Sequence, residues 1–177
     1  DLRLVMLLHD CGKPARFSID FRGDGHFYGH AYESARRAEE ALTRLRCDKE
    51  TCARVTRLIA LHDHDILNTE KSLLRWLRKI GQDDLRDLLA IKIADNLGQH
   101  PRYLRVDRFR ATLAVLDALL AEQPCFDRSG LALKGGDLVA LGYAGPAIGR
   151  ALDDLVRAVI DGRVENQKDA LLTFLRQ

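Results

Sequence analysis

Apolar residues recur with helical spacing along nearly the whole chain, and this periodicity constrains the fold more than any other feature. At the start of the chain, Leu2, Val5, Met6 and His9 follow the i, i+3, i+4, i+7 rule and so share one helix face. A glycine and a proline follow within a few residues, which predicts the end of this helix. The chain therefore opens with a short amphipathic helix that carries a histidine on its apolar face.

The same spacing predicts a succession of further helices. After the first helix, residues 16–30 form a loop rich in glycine and aromatic residues, with room for a short β-hairpin around Gly23–Gly25. Asp83 is the expected N-cap of the fifth helix, and Pro101 is expected in the first turn of the sixth. The predicted helices after the first cover 31–45, 49–63, 70–81, 83–98, 101–122, 146–161 and 166–177.

These helices predict an all-α fold with two parts. The 177 residues, 46% of them apolar, suffice for a sizeable core. Beyond residue 122 the sequence becomes rich in glycine, and only two short turns are expected before residue 149, the first starting at Asp137. We therefore predict a helical body over 1–122 and a small helical tail over 123–177.

The cysteines and the hydropathy of the sequence indicate the cellular compartment of the protein. None of its four cysteines forms a C-x-x-C motif, which argues against zinc-ribbon and thioredoxin-type sites and favours free thiols in a reducing cytosol. The chain has no apolar run of about 18 residues and no signal peptide. We predict a cytoplasmic protein without a membrane partner. Because the sequence opens without methionine in an already helical pattern, we also expect a piece of a longer protein.

Three polar residues lie where apolar ones are expected. His9, His62 and Asp95 each occupy the apolar stripe of a different helix, and Asp10 follows His9 directly. A single buried histidine is usually a hydrogen-bonded core residue. Three such residues on separate helices indicate that the polar groups meet, and a divalent cation would satisfy all of them. Imidazole nitrogen and carboxylate oxygen are ligands for Zn, Fe, Mn, Ni and Co.

A metal ion bound here would favour reactions of phosphate esters. The sequence leaves alternative roles for three neighbouring residues. A metal with free positions acidifies bound water and polarises a phosphoryl oxygen. Lys13 either attracts a phosphate or is a solvated cation at a helix C-terminus. His30 is either a fourth ligand or an ordinary loop histidine, and Cys11 is expected to be buried rather than to ligate. The histidines predicted to lie on the surface are His26, His64 and His100.

The tripeptide Asp63–His64–Asp65 has the D-x-D form found in nucleotidyl transfer. That chemistry needs two carboxylates at a strand edge that bind two Mg²⁺ ions. Here the motif follows a helical stripe, without a strand or a glycine- and serine-containing phosphate loop before it. We therefore predict that it is not a nucleotidyl-transfer site.

The motif LLHDCGKP at 7–14, with GH at 29–30 and ADN at 94–96, resembles the HD superfamily of helical, metal-dependent phosphohydrolases. The resemblance implies that the all-α body is an HD-domain helical bundle. It also implies a divalent metal ion as cofactor, with Mn, Ni, Fe, Zn and Mg as alternatives.

The same resemblance implies a set of metal ligands. His9 and Asp10 match the central doublet of the superfamily, and Asp95 matches its final aspartate. By order and approximate spacing, His30 and His62 match the two further histidines of members that hold two metals. The superfamily's first histidine lies upstream of the doublet, and no histidine precedes His9 in this sequence.

A narrower resemblance covers almost the whole chain. The segments HFYGHAYESA, ADNLGQ and LALKGGDLVALGYAGPAIGRALDDLVRAVIDGRVEN resemble the C-terminal half of bacterial CCA-adding tRNA nucleotidyltransferases, which are poly(A) polymerase-like. In that family the carboxylates that add nucleotides lie in an N-terminal domain absent here, so the resemblance implies that this chain cannot add nucleotides alone. It implies that the tail helps to hold the tRNA elbow. Some HD-bearing members hydrolyse 2′,3′-cyclic phosphates and phosphomonoesters with a divalent metal.

Arginines give weak independent support for an RNA partner. Arg102 and Arg105 are expected to share a face of the sixth helix, and Arg150 and Arg157 lie in the tail. Such side chains contact RNA phosphates. The alternative is that they are solvated and balanced by neighbouring acids, in keeping with a net charge of only +2.

Two functions therefore remain open. In the first, the body is a phosphohydrolase whose substrates are 2′,3′-cyclic or monoester phosphates. Its metal ligands are the five histidines and aspartates named above, and Asp10 and Lys13 are its catalytic residues. In the second, the chain is a non-catalytic tRNA-binding arm of a CCA-adding enzyme. The oligomeric state is not specified by the sequence.

Overall fold

The structure, a computed structural model, describes residues 1–176. In that range the chain is almost entirely helical, which confirms the predicted all-α class. The helices are α1 (Leu2–Leu8), α2 (His30–Arg44), α3 (Lys49–Leu61), α4 (Glu70–Ile80), α5 (Gln82–Leu97), α6 (Val106–Ala121), α7 (Gly135–Ala140), α8 (Pro146–Ile160) and α9 (Lys168–Phe174). The strands are β1 (Ser18–Ile19) and β2 (Gly25–His26), and 3₁₀ turns cover Lys13–Arg16 and Pro101–Tyr103.

Most predicted helix boundaries agree with the structure to within a few residues. The expected hairpin is present, since β1 and β2 pair antiparallel with Ser18 opposite His26. The prediction that Asp83 is an N-cap is wrong, because α5 already begins at Gln82. Gly81 before it has a φ of 82°, a left-handed value open to glycine, so this single residue makes the turn and Asp83 already lies in the first turn of α5.

The predicted sixth helix is interrupted near its start. Pro101 opens only a 3₁₀ turn, and Leu104 then adopts an extended conformation before α6 begins at Val106. The cause is Asn96, whose side-chain oxygen accepts from the Arg105 amide at 2.5 Å and whose side-chain nitrogen donates to the Tyr103 carbonyl at 3.1 Å. These bonds hold the backbone extended, which a continuous helix would not allow.

Residues 1–65 and 83–110 form one compact unit, here called unit 1. In it α1 and α2 both pack against α3. Asp84 ties α5 to α3, because its buried carboxylate accepts hydrogen bonds from Arg54 Nε at 2.8 Å and Arg57 Nε at 2.9 Å. Burial of each large aliphatic side chain contributes roughly 1.5–3 kcal/mol to folding. The fully buried aliphatic residues include Val5, Ala38, Leu42, Val55, Leu58, Ile59, Leu85, Leu88 and Leu89.

Residues 66–82 and 111–177 form the second compact unit, here called unit 2. Gln177, the predicted end of the last helix, lies outside the described residues. Ion pairs join α4 to α8, with Arg75 2.7 Å from Asp161 and Arg78 3.1 Å from Asp153. The core of unit 2 includes Leu73, Leu77, Leu116, Leu131, Leu133, Leu138, Leu155, Val156 and Leu171. These two compact units differ from the predicted division into a metal-binding body over 1–122 and a tRNA-binding tail over 123–177, which stays a prediction.

The glycine-rich segment is organised by side-chain hydrogen bonds. Asn166, expected to start the last helix, instead accepts from the Ala132 amide at 2.8 Å and donates to the Gly130 carbonyl at 2.9 Å. α9 consequently begins at Lys168. All four cysteines are free thiols. Within residues 1–176 no helix has both the length and the apolar composition needed to span a bilayer.

Candidate metal centre

The ends of four helices of unit 1 bring the predicted metal ligands together. His9 follows the last residue of α1, His30 is the first residue of α2, and His62 follows the last residue of α3. The three histidines are buried, each no more than 9% exposed. Asp95, in the last turn of α5, and Asp10 complete the group. We call these five residues the His–Asp cluster.

Backbone hydrogen bonds orient all three imidazole rings in the same way. The Nδ1 atom of each ring lies within hydrogen-bonding distance of the carbonyl oxygen three residues earlier, at 2.9 Å for His9, 2.9 Å for His30 and 2.7 Å for His62. A carbonyl only accepts, so Nδ1 carries the proton and donates. The proton-free Nε2 is thereby left to point into the cluster. Ligating histidines in metal sites are held in this manner.

The free nitrogens converge on the Asp10 carboxylate, two of them on Oδ1 and one on Oδ2. His30 Nε2 lies 3.5 Å and His62 Nε2 3.8 Å from Asp10 Oδ1, and the two nitrogens lie 3.2 Å apart. His9 Nε2 lies 3.4 Å from Asp10 Oδ2 and 3.3 Å from Asp95 Oδ1. Ligand atoms of His9, Asp10 and His62 all fall within 4.8 Å of one another. A single ion can therefore contact several of these groups at once.

Asp10 Oδ1 is buried and has no hydrogen-bond partner among the described residues. An unsatisfied buried polar group costs about 1–3 kcal/mol, and a charged one costs more. The groups around this oxygen are mainly acceptors, so rearranging them does not satisfy it. A divalent cation bound by the three imidazole nitrogens and the two carboxylates would give each of these groups a partner. The cluster therefore fits the metal that its donor atoms imply.

The pKa values of His9 and His62 are shifted in opposite directions. The hydrogen bond to Asp95 raises the pKa of His9, and the same bond lowers the pKa of Asp95. His62 behaves oppositely, since burial lowers its pKa, with the nearby His9 and His30 acting in the same direction. Burial thus favours the neutral imidazole of His62, which is the form that ligates a metal.

Lys13, a residue with two predicted roles, lies directly beside the cluster. Its Nζ is 2.6 Å from Asp10 Oδ2, the oxygen that does not face His30 and His62. The ammonium group therefore fixes the orientation of the Asp10 carboxylate. Its proposed contact with a substrate phosphate stays a prediction.

A cavity of about 360 Å³ opens in front of the cluster. Sequence reasoning missed two residues that line it. Lys92 is half-buried, one turn before Asp95 on α5, and donates from Nζ to the His62 carbonyl at 2.7 Å. Burial lowers the pKa of its ammonium group. Asn96, the buried residue that interrupts the sixth helix, lies beside it. The spacing of Lys92 and Asp95 on one helix face was the signal that could have found the lysine.

The remaining candidate residues lie outside the cluster. His26 bonds to Asp20 at 3.1 Å and His100 is exposed. The thiol of Cys11 points to the Ser34 carbonyl oxygen, 3.7 Å away, rather than to the cluster.

The D-x-D motif has none of the geometry that nucleotidyl transfer requires. Its two carboxylates are 65% and 62% exposed, and they lie in the turn after α3 rather than at a strand edge. Asp65 is paired with Arg108 at 2.6 Å.

Comparison with known proteins identifies the family. Residues 30–175 match the family described as "tRNA nucleotidyltransferase domain 2 putative". The chain belongs to this family. The match includes His30, His62 and Asp95, and it begins after the His9–Asp10 doublet.

Curated relatives carry related names. The chain is 33% identical to the CC-adding tRNA nucleotidyltransferase of Thermus thermophilus, over 96% of this chain and 38% of that protein. It is 31% identical to the A-adding tRNA nucleotidyltransferase of Deinococcus radiodurans, over 96% of this chain and 40% of that protein. It is 37% identical to the CCA-adding enzyme of Limosilactobacillus fermentum, over 60% of this chain and 24% of that protein. The chain thus spans about two fifths of the length of the first two relatives, and no solved structure matches it.

The arginines predicted to bind RNA are distributed over both units. Arg102 lies in a 3₁₀ turn and Arg105 in the extended segment before α6, so the prediction that they share a helix face is wrong. Asn96 causes this separation through the bonds described above. Arg150 and Arg157 lie two turns apart on α8 and therefore face the same side. The Arg157 side chain is 61% exposed and lies 3.1 Å from Asp154.

Proposed function

We propose that this chain is the helical, tRNA-binding part of a tRNA nucleotidyltransferase. The observation that carries the proposal is the family match over residues 30–175, which includes nearly all of unit 2. The names of the relatives supply the substrate class, since each is named for a nucleotide-adding activity and two are named for tRNA. In this proposal the chain binds the tRNA and does not itself add nucleotides.

The face of α8 that carries Arg150 and Arg157 is the surface we assign to the RNA backbone. Both side chains are exposed, and Arg157 lines a groove of unit 2 with Arg75 and Arg78. Asp161 and Asp153 hold the latter two arginines in place on α4. A guanidinium group that is already oriented loses less entropy when it binds a phosphate. Such a surface recognises the shape and charge of folded RNA rather than its sequence.

We expect the double substitution Arg150→Gln and Arg157→Gln to weaken tRNA binding. Each lost phosphate contact should lower the slope of log affinity against log salt concentration by about one. The measurement is a filter-binding titration of the 177-residue chain with tRNA at several salt concentrations. The matched control is Arg44→Gln with Lys49→Gln, two exposed positions in unit 1 that change the net charge equally. Equal salt slopes for parent and double variant would contradict the assignment, as would equal affinity of the parent for tRNA and a random RNA duplex.

A second function is favoured by a separate observation, the unpartnered buried oxygen of Asp10 that faces the Nε2 atoms of His30 and His62. It is a divalent-metal-dependent phosphohydrolase activity in unit 1. The His–Asp cluster would hold the ion, and a metal bound there would supply an activated water and polarise the phosphoryl oxygen. Lys13 orients the Asp10 carboxylate, and the cavity in front of the cluster admits the ester.

We expect the purified chain, supplied with Mn²⁺ or Ni²⁺, to hydrolyse phosphate esters, and Asp10→Ala to reduce the rate at least 100-fold. The substrates for the assay are 2′,3′-cyclic nucleotides and phosphomonoesters. Asp107→Ala is the control, because Asp107 is fully exposed on α6 and does not line the cavity. Activity that survives in Asp10→Ala would show that it does not come from this site. Absence of activity in the parent would leave the tRNA-binding function as the only one.

A further inference from the structure

We propose that Lys92 and Arg105 form an anion subsite in the cavity of unit 1, and that this subsite selects phosphomonoesters as substrates over cyclic phosphates and diesters. The inference rests on the proposed phosphohydrolase function and specifies its substrate class. It adds two residues that neither the family match nor the sequence analysis assigns to this site.

Lys92 is a cation without a carboxylate partner. Its Nζ donates one hydrogen bond, to the His62 carbonyl, and among the described residues no carboxylate oxygen lies within 4.0 Å of it. Lys13 differs in this respect, since its ammonium group is already neutralised by Asp10 at 2.6 Å. An ammonium group has three donors, so two of those of Lys92 remain for a ligand. Its place on α5, one turn before Asp95, puts it beside the metal ligands.

Arg105 is the second such cation, and the backbone places it. Asn96 accepts from the Arg105 amide at 2.5 Å and so fixes the residue at the rim of the cavity. No ion pair of the Arg105 guanidinium is present in residues 1–176. A guanidinium group donates to phosphate oxygens in a two-pronged geometry that an ammonium group does not offer. Asn96 is in this sense a positioning residue for the subsite.

The charges that line the cavity specify the charge of the ligand. The cavity contains three carboxylates and three cations, which cancel. They are Asp10, Asp63, Asp95, Lys13, Lys92 and Arg105. With the histidines neutral, as metal binding requires, a bound divalent ion leaves a net charge of about +2. A phosphomonoester carries a charge of about −1.5 to −2 at pH 7. Diesters and cyclic phosphates carry a single negative charge and so leave about half of the positive charge of the cavity uncompensated.

The subsite is connected to the metal ligands through the backbone. Lys92 contacts the backbone of His62, while Asn96 adjoins Asp95 in sequence. Lys92 and Arg105 line the same cavity as His62 and Asp95, two ligands of the cluster. A cavity of about 360 Å³ lies at the small end of ligand pockets, so a single phosphorylated small molecule fits it better than a folded RNA does.

The test compares Lys92→Met and Arg105→Met with the parent, and uses Lys92→Arg to keep the charge. Lys49→Met, at an exposed position of α3, is the matched control. Three quantities are measured on each protein: the metal content, the affinity of the Mn²⁺-loaded chain for inorganic phosphate from ³¹P relaxation, and kcat and KM for a nitrophenyl phosphate monoester and its diester. A purely structural role for Lys92 would change the metal content or the folding, which the first measurement and circular dichroism detect.

We expect each Met variant to bind phosphate at least 10-fold more weakly, with unchanged metal content. KM for the monoester should rise by a similar factor while KM for the diester changes less, and Lys92→Arg should recover most of the loss. The Arg105 side chain is exposed and not needed for folding. If Arg105→Met keeps the phosphate affinity and the monoester preference of the parent, that result would overturn the inference. So would a metal-loaded parent that binds no phosphate. A parent that binds no metal would instead refute the phosphohydrolase function on which the inference rests.

Discussion

Asp10→Asn should abolish metal binding and leave the metal-free protein at least as stable as the parent. In the parent, Asp10 Oδ1 is a buried acceptor among imidazole nitrogens that are also acceptors. An amide nitrogen in its place donates to His30 or His62, whose Nε2 atoms lie 3.5 Å and 3.8 Å from Oδ1. Relief of the unsatisfied oxygen is worth about 1–3 kcal/mol. The lost pairing with half-exposed Lys13 costs only about 0–1 kcal/mol.

The measurement is chemical denaturation of parent and variant, with and without Ni²⁺ or Mn²⁺. At a free metal concentration 100 times its dissociation constant, the parent gains about 2.7 kcal/mol and the variant gains nothing. Asp63→Asn is the control and should retain the metal-dependent gain, since Asp63 lies at the exposed edge of the cavity. A metal-free Asp10→Asn protein that is less stable than the parent by more than about 1 kcal/mol would show that Asp10 is a structural residue.

Gly12→Ala should destabilise unit 1 by about 3 kcal/mol or more and disrupt the His–Asp cluster. A Cβ atom at residue 12 would lie 2.5 Å from the Ser34 amide nitrogen and 2.7 Å from the His30 carbonyl oxygen, both backbone atoms of α2. Backbone cannot rotate away as a side chain can, so the segment after α1 must separate from α2. That movement also breaks the bond from the Gly12 amide to Ser34 Oγ at 2.9 Å and withdraws Asp10 from His30.

The control for this substitution is Gly136→Ala. Gly136 lies inside α7, has a negative φ, and a Cβ atom there would meet nothing within 4 Å. Alanine is a better helix former than glycine by about 0.5–1 kcal/mol, so this variant should be slightly more stable. Thermal unfolding of both variants checks the pair of predictions. A Gly12→Ala protein with parental stability and metal affinity would contradict the close approach of the segment after α1 to the backbone of α2.

Local sequence signals were sufficient for most of the fold. The helical stripes of α2, α3 and α8 and the stop at Gly81 are properties of short segments, and they predicted the corresponding elements closely. The break before α6 was not predictable in this way. It depends on the side chain of Asn96, nine residues before Arg105, reaching the Arg105 amide, and no periodicity encodes such a contact.

The candidate site divides along the same line. His9, His62 and Asp95 were detectable because a polar residue on an apolar stripe violates the pattern of its own helix. His30 was ambiguous in the sequence, since it adjoins a glycine-rich loop, and only the packing of α2 against α3 places it 3.2 Å from His62. The cavity position of Lys92 was not predicted because a lysine on a helix is ordinarily solvated, although its spacing from Asp95 places both residues on one helix face. The sequence assigned Arg105 to RNA binding on a continuous sixth helix. The break before α6 instead places Arg105 in the extended segment that lines the cavity, where we assign it to the anion subsite.

The most direct test of the metal centre is elemental analysis of the purified chain, combined with X-ray absorption of the bound metal. After reconstitution with Mn²⁺, Fe²⁺, Ni²⁺ or Zn²⁺, we predict at least one divalent ion per chain, coordinated by imidazole nitrogen and carboxylate oxygen without sulfur. Asp10→Ala should lose it. No metal above background in the reconstituted parent would contradict the account. So would a sulfur ligand in the absorption spectrum, because the thiol of Cys11 points to the Ser34 carbonyl oxygen instead.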